Sequence, residues 1–309
     1  MHSAARRTFQ NRILTIAALF AIVWAVIRAC VQSITMDEAD TYFWFVSTSD
    51  IWAFYSNNHV LNSLLMWVST HAFGTSAIAI RAPAILGAVL FVGACFVLCR
   101  TITDRFSLQL SLFICLTYNP FVFDYMVAAR GYGLANAFLL AAITVVAVQV
   151  VKGRISRRQA CAWASLSLGL SFSANFAFAF VDLAAFLALL AWAIRQRRQE
   201  SVVRTAAYCV LPGLLVALLL CGYPLAHVKR DDLIWGVCSL TEMRRSLLDS
   251  SLYQLDPRFG VISSGIGGWD HLRPHSPRLL LCVCSCIGWH SVSRVFCCRS
   301  AGLESFWCR

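Results

Sequence analysis

Long apolar blocks separated by short basic clusters are the feature that most constrains the fold of this chain. A membrane-spanning helix needs about 20 mostly apolar residues. Seven blocks come close to that length, at 13–34, 84–99, 107–125, 133–151, 159–175, 176–194 and 205–222. The pattern predicts an all-α polytopic membrane protein with about seven transmembrane helices, which form a bundle over residues 13–222.

The composition excludes most other classes of protein. Of 309 residues, 59% are hydrophobic and only 13% are charged, whereas an ordinary soluble domain has about 25% charged residues. This difference excludes a soluble globular enzyme, a disordered chain and a repeat solenoid. We therefore expect a lipid bilayer around most of the chain.

The basic residues indicate how the chain is oriented in the membrane. The net charge is +11, and 13 of the 26 Lys and Arg residues lie in four clusters between apolar blocks. The clusters are Arg6, Arg7 and Arg12; Arg100 and Arg105; Lys152, Arg154, Arg157 and Arg158; and Arg195, Arg197, Arg198 and Arg204. The positive-inside rule then predicts a cytoplasmic N-terminus at 1–12 and a long first outer loop at 35–83. Because topology explains the basic excess, we expect no nucleic acid as a partner.

One block, residues 59–73, does not fit this count of spans. It has a helical pattern but is only about 15 residues long and contains His59, Asn62 and His71, which is too short and too polar to span. Counting it as a span would also place the 152–158 cluster outside. We therefore predict a juxtamembrane or re-entrant helix within the first outer loop.

Ionisable residues collect at the predicted outer ends of the spans. Asp37, Glu38 and Asp40 directly follow the first span and precede an aromatic run. Simple solvated charges are the alternative interpretation. The other candidates at the outer ends are His59, Arg81 and Arg130. A carboxylate can take a proton from an acceptor hydroxyl, and cations can offset charge on a phosphate leaving group. The pattern favours transfer from a phosphate-linked lipid donor.

Two arginines have surroundings that suit an anionic ligand. Arg130 is followed by Gly131 and Tyr132, and glycine allows close approach of the backbone to a ligand. Arg81 precedes Pro83, which suits the first turn of a helix. Arg81 is therefore predicted at a helix N-terminus, where anions are favoured. The alternative for Arg130 is an anchor that reaches the lipid headgroups, a role that suits Arg28 in the first span better.

The order of these motifs resembles a known family. Four motifs follow one another along the chain: an acidic DE pair after the first span, the stretch NHVL, the sequence FG followed by RAP, and AARGYGLA after the third span. They resemble the N-terminal half of polyprenol-phosphate-sugar-dependent glycosyltransferases of the GT-C fold. This family includes protein O-mannosyltransferases, the lipid A aminoarabinose transferase and RgtA/B/C/D-like transferases. The resemblance covers about residues 13–266.

The resemblance implies a function and a set of site residues. It implies transfer of a sugar, with inversion, from a polyprenyl-phosphate donor to an unidentified acceptor on the outer face of the cell inner membrane. Asp37 corresponds to the base, and Glu38 supports it or helps to hold a divalent metal ion. His59, Arg81, Arg130 and Tyr132 correspond to residues that bind the donor. Val60 stands where the family usually has proline.

The C-terminal part of the sequence changes character. Residues 223–268 have the polarity of an outer loop, whereas residues 269–309 form an anomalous tail. Ser, Arg, Cys and Leu make up 22 of the 40 residues at 270–309, as expected of an unselected reading frame. We predict out-of-frame translation from about residue 269, so that the C-terminal half of the GT-C-like bundle is missing. A natural short variant and a metal-binding tail are the alternatives.

Two other functions compete with the glycosyltransferase interpretation. One is a non-enzymatic polytopic membrane protein such as a transporter. A transporter would place ionisable groups near mid-membrane and contain an internal repeat. The sequence shows no internal repeat, and apart from Asp182 the candidate ionisable residues lie at the predicted outer surface. The other is an inactive truncated product.

Overall fold

The computed structural model describes residues 2–55, 58–196, 201–227 and 241, except for the side chains of residues 2–7. Throughout this part of the chain the regular structure is helical and no strand occurs. The predictions of an all-α fold and a polytopic membrane protein are confirmed in this coarse form. The predicted tail at 269–309 and most of the predicted outer segment at 223–268 lie outside the described residues.

Eleven α-helices follow one another along the described chain. They are α1 (His2–Val31), α2 (Met36–Thr41), α3 (Val60–Phe73), α4 (Ala77–Ile80), α5 (Ala82–Ile102), α6 (Phe106–Thr117), α7 (Pro120–Tyr125), α8 (Tyr132–Lys152), α9 (Arg157–Ala174), α10 (Ala179–Arg195) and α11 (Val202–Ala226). A π-helical turn, Tyr42–Val46, follows α2, and a 3₁₀ turn, Phe176–Phe178, precedes α10.

Five described segments are long and apolar enough to cross a membrane, by length and composition. They are Thr8–Val31, Ala82–Ile102, Tyr132–Lys152, Phe176–Arg195 and Val202–Ala226. Residues 2–12 of the predicted cytoplasmic segment 1–12 belong to α1, which begins at His2. Helix α11 continues to Ala226, beyond the predicted end of the bundle at residue 222.

The two other predicted spans have a different local structure. Residues 107–125 form two short helices, because Asn119 caps α7 with its side chain and Pro120 begins it. Residues 159–175 form α9, an 18-residue helix with four serines that falls outside the set of five. At about 1.5 Å per residue, α9 is about 27 Å long. The count of seven spans therefore stays a prediction.

Helices α5, α8, α9 and α11 pack closely because glycines lie at their contacts. A Cβ on Gly87 of α5 would come within 2.7 Å of the Gly133 backbone in α8. A Cβ on Gly169 of α9 would come within 2.8 Å of the Gly213 Cα in α11. Small residues at such contacts are typical of helix packing in membranes.

The ends of the helices form two chemically different ends of the bundle. An ion pair of Lys152 with Asp104, with 3.6 Å between nitrogen and oxygen, joins the end of α8 to the α5–α6 turn. We call this the basic end, because Arg100, Lys152 and Arg154 meet there. We call the opposite end, which carries Asp37 and Arg130, the site end.

The predicted first outer loop, 35–83, is mostly helical. It contains α2, the π-helical turn, α3 and α4. Helix α3 is 14 residues long, or about 21 Å, and it is not among the five possible spans. The prediction of a short helix at 59–73 agrees with this finding.

Candidate functional site

The site begins with a capping box that orients two neighbouring acids. Thr35 caps α2: its hydroxyl accepts from the Glu38 amide, and the Glu38 carboxylate accepts from the Thr35 amide at 2.9 Å. This reciprocal pair satisfies amides that the helix start leaves unpaired. The capping box turns Glu38 inward, where it is fully buried, while the side chain of Asp37 remains 48% exposed.

Glu38 and Arg81 form a fully buried ion pair. Arg81 donates to both carboxylate oxygens of Glu38, at 2.9 and 2.7 Å. It also donates to the carbonyl oxygens of Ala29, Gln32 and Ser33, at 3.1, 2.7 and 2.7 Å. A guanidinium has five N–H groups, and these contacts use all of them. Arg81 thereby ties the end of α1 to α2 and to the start of α5.

The surroundings of Glu38 keep it ionised. Burial by itself raises the pKa of Glu38, but hydrogen bonds from Arg81, Thr35 and Ala129 and the Arg81 charge outweigh burial and lower it. The Ala129 amide donates to Glu38 at 3.0 Å. Glu38 therefore fixes the backbone directly before Arg130.

This geometry differs from two of the roles that the resemblance implies. Arg81 has no exposed surface and no N–H left for a donor phosphate. Both oxygens of Glu38 already accept hydrogen bonds from Thr35, Arg81 and Ala129, and its role beside Asp37 stays a prediction. Among the described side chains, no group of three or more His, Cys, Asp or Glu residues could hold a metal ion.

Asp37 and Arg130 form the exposed ion pair of the site. An oxygen of Asp37 lies 2.7 Å from a terminal nitrogen of Arg130, and the two side chains are 48% and 28% exposed. The Arg130 guanidinium also lies 5.8 Å from the ring centre of Tyr132. Two of the predicted site residues, 93 positions apart in the sequence, are therefore in contact, and both side chains are partly exposed within the described part of the chain.

His59 lies beside this pair in an unusual state for a histidine. Its side chain is 5% exposed, and within the described part of the chain neither ring nitrogen has a hydrogen-bond partner. Burial, with a smaller contribution from the Arg130 charge, lowers the pKa of His59 from 6.5 to about 4. The imidazole is therefore neutral at pH 7, with one donor nitrogen and one acceptor nitrogen.

Tyr132 is the centre of an aromatic cluster at the start of α8. Its ring centre lies 4.7 Å from that of Tyr125, 5.9 Å from that of His59 and 6.5 Å from that of Phe178. The preceding residue, Gly131, has φ +75°, a conformation that a side chain disfavours. A Cβ there would also overlap the Ala174 carbonyl oxygen. Gly131 therefore allows Arg130 and Tyr132 to lie on either side of a tight turn.

Three asparagines that the sequence analysis did not assign to the site hold its backbone. Asn62 donates to the Ala129 carbonyl at 3.0 Å, and Asn175 donates to the Arg130 carbonyl at 3.1 Å. Asn58 donates to the carbonyls of Ile51 and Ala53. The signal that could have identified them is an amide side chain beside an apolar segment, where a buried polar group needs a partner.

Other polar residues at the predicted outer ends have different partners. Asp124 lies 2.6 Å from Arg28, and Arg28 also lies 5.0 Å from the ring centre of Trp24. His227, which directly follows α11, is exposed, and its ring contacts the backbone and the ring of Tyr223.

A scan against protein-family models, a search of curated proteins and a search of solved structures each found no match for this chain. The resemblance to the GT-C glycosyltransferases therefore stays a prediction. The arrangement of Asp37, Arg130, His59 and Tyr132 supplies the physical basis for assigning a function.

Proposed function

We propose that this chain is a membrane glycosyltransferase that moves a sugar from a polyprenyl-phosphate donor to an acceptor hydroxyl at the membrane surface. The observation that carries the proposal is the exposed Asp37–Arg130 ion pair, 2.7 Å between oxygen and nitrogen. It places a candidate base and a candidate phosphate-binding cation side by side at the end of an apolar bundle. A lipid-linked donor would reach such a position from the bilayer.

The proposed reaction is a single displacement at the anomeric carbon. The acceptor oxygen forms a bond to this carbon, while the bond from the carbon to the phosphate oxygen breaks. Asp37 takes the proton from the acceptor hydroxyl, a contribution of about 10²–10⁴-fold in rate for a general base. The bonding electrons leave with the polyprenyl phosphate, which departs as an anion, and the sugar configuration is inverted.

Arg130 is proposed to stabilise the charge on the leaving phosphate. A guanidinium already held in place stabilises developing charge without reorganisation, and Arg130 is held by Asp37 and by the turn at Gly131. Helix α8 begins at Tyr132, and helix N-termini favour anions. The phosphate is therefore proposed to lie between Arg130 and the start of α8.

His59 is proposed to contribute a hydrogen bond rather than a charge. Because its pKa is lowered to about 4, a neutral ring can donate from one nitrogen to a phosphate or sugar oxygen. A buried polar group without a partner costs about 1–3 kcal/mol. Contact with a donor substrate would recover much of that cost, which favours His59 as a binding residue.

Glu38 and Arg81 are proposed as positioning residues. They fix Ala129 and the end of α1, and so set the separation of Asp37 and Arg130. Their role does not require contact with the substrate.

The direct experiment uses the full chain in membranes and a panel of polyprenyl-phosphate sugars. Release of polyprenyl phosphate is followed, with membranes from cells that lack the chain as the control. The proposal expects chain-dependent release from at least one donor. If no donor in a panel of hexose and pentose derivatives releases lipid phosphate, the proposal is wrong.

A transporter is the second candidate function, and one observation favours it. Asp182 is 6% exposed within the possible span Phe176–Arg195, and its carboxylate lies 2.9 Å from the Ser171 hydroxyl. Ionisable residues inside a membrane often mark ion or proton pathways. The test is ion or proton flux into vesicles that contain the chain. Flux that Asp182→Asn abolishes would support transport, whereas absence of flux would exclude it.

A further inference from the structure

A cavity of about 650 Å³ lies at the basic end, away from Asp37 and Arg130. It is formed near the start of the possible span Thr8–Val31, the end of α5, the start of α6 and the end of α8. The residues that define its chemistry are Gln10, Asn11, Arg100, Asp104, Lys152 and Arg154. The proposed glycosyltransferase reaction uses none of them.

The cavity is positively charged, and apolar side chains of Phe96, Val97 and Val148 form part of its lining. Arg100, Lys152 and Arg154 contribute three cations against the one carboxylate of Asp104. Asp104 faces Lys152 at 3.6 Å with its own side chain 96% exposed, so it offsets little of the charge. The Arg100 guanidinium lies 5.3 Å from the ring centre of Phe96, which helps to orient it above that ring.

The depth of the cavity corresponds to the lipid headgroup layer. Gln10 and Asn11 lie within three residues of the start of the possible span Thr8–Val31. Arg100 lies two residues before the end of Ala82–Ile102, and Lys152 ends the span Tyr132–Lys152. Three possible spans therefore reach their polar boundary at this cavity, while Phe96 and Val97 line it on the membrane side.

We propose that this cavity binds the phosphate of an anionic phospholipid headgroup. Arginine and lysine side chains bind the phosphate oxygens by charge-assisted hydrogen bonds. The side-chain amides of Gln10 and Asn11 donate to the remaining headgroup oxygens, and the lipid glycerol region packs on Phe96 and Val97. Basic pockets between membrane helices are suited to anionic headgroups. Free inorganic phosphate shares the anionic chemistry but lacks the apolar part.

The test is native mass spectrometry of the purified full chain with added phosphatidylglycerol or phosphatidylcholine. The wild-type chain should retain one phosphatidylglycerol about tenfold more tightly than phosphatidylcholine. Arg100→Gln with Arg154→Gln should lower that preference about tenfold. The matched control is Arg195→Gln with Arg204→Gln, which removes the same charge from exposed residues at the same end, outside the cavity. It should leave the preference unchanged.

Three outcomes would overturn the proposal. One is an equal loss of the phosphatidylglycerol preference in the control variant, which would mean that general surface charge, and not the cavity, attracts the lipid. Another is displacement of the lipid by millimolar inorganic phosphate, which would mean a site for the free anion. The third outcome concerns the double variant Arg100→Lys with Arg154→Lys, which keeps both charges and should keep most of the preference for phosphatidylglycerol. If this variant melts like the wild type and yet loses the preference completely, recognition by charge is contradicted.

Discussion

Glu38 and Arg81 are 43 residues apart in the sequence and form an ion pair in which neither side chain has any exposed surface. The pair joins the end of α1, helix α2 and the start of α5. Asp37, the adjacent residue, points the other way and meets Arg130. One buried pair therefore sets the position of one exposed pair.

The first prediction concerns the free energy of unfolding. Glu38→Gln leaves the Arg81 charge buried without a counter-charge, and breaking a buried pair in this way costs about 3–5 kcal/mol. Asp50→Asn, an exposed acid in the same loop, should change the melting temperature little. Both are measured by thermal unfolding of the purified chain in detergent. Equal melting of the two variants would contradict the structural role of the pair.

The same pair predicts a pH dependence. The folded pKa of Glu38 is lowered from its ordinary value of 4.5, so the folded state binds fewer protons than the unfolded state near that pH. The stabilisation is present above pH 4.5 and is lost as pH falls through the folded pKa. The stability difference between wild type and Glu38→Gln should therefore shrink as pH falls below 4.5.

The second prediction separates backbone strain from steric overlap at Gly131. Gly131→Ala and Gly153→Ala both place a side chain at positive φ, +75° and +61°, at a cost of about 1–2 kcal/mol. At Gly153 an added Cβ has no atom within 4 Å, whereas at Gly131 it overlaps the Ala174 carbonyl oxygen. Gly131→Ala should therefore destabilise more and also reduce transfer. Equal melting temperatures would contradict the close approach of α8 and α9.

The third prediction concerns His59. Its folded pKa of about 4 lies below the ordinary value of 6.5, so the unfolded chain takes up a proton first as pH falls. The contribution of His59 to stability is therefore intact above pH 6.5 and declines towards pH 4, by at most about 3 kcal/mol. His59→Gln should remove this decline and slow transfer about 10–100-fold. An unchanged pH profile of stability would contradict the neutral buried ring.

The fourth prediction is topological and follows from the basic clusters. Alkaline phosphatase becomes active only when it folds outside the cytoplasm. Its fusions after residue 78, 128 or 226, which lie in predicted outer segments, should therefore be active. Fusions after 103, 155 or 199 should be inactive. Activity of the fusion after residue 155 would contradict the predicted cytoplasmic location of the 152–158 cluster and would indicate that residues 59–73 span the membrane.

The sequence predicted the helices better than the contacts among their ends. Block length and charge identified the helical class, and five of the seven blocks correspond to segments long and apolar enough to span. Helix α9 was harder to classify as a span from its sequence, because serines such as Ser165 and Ser171 lower its hydropathy. In the folded chain Ser165 instead accepts from the Gly213 amide and Ser171 lies near Asp182.

Within the site, the sequence could identify residues but not assign them to pairs. Asp37 and Arg130 were both candidates, and their contact required the fold to bring the α7–α8 turn to α2. Arg81 was expected at a phosphate because it precedes a helix, yet its side chain turns back to Glu38 and the end of α1. The direction of a long side chain depends on partners from distant segments, which spacing alone does not reveal.

The central claim, that Asp37 is the base of a sugar transfer, is tested most directly by the rate of polyprenyl phosphate release. Asp37→Asn keeps the size of the side chain but cannot take a proton. The account predicts a rate about 10²–10⁴-fold lower than wild type, with normal membrane insertion and with Asp50→Asn unaffected. Full activity of Asp37→Asn, under conditions where the wild-type chain releases lipid phosphate, would contradict the claim.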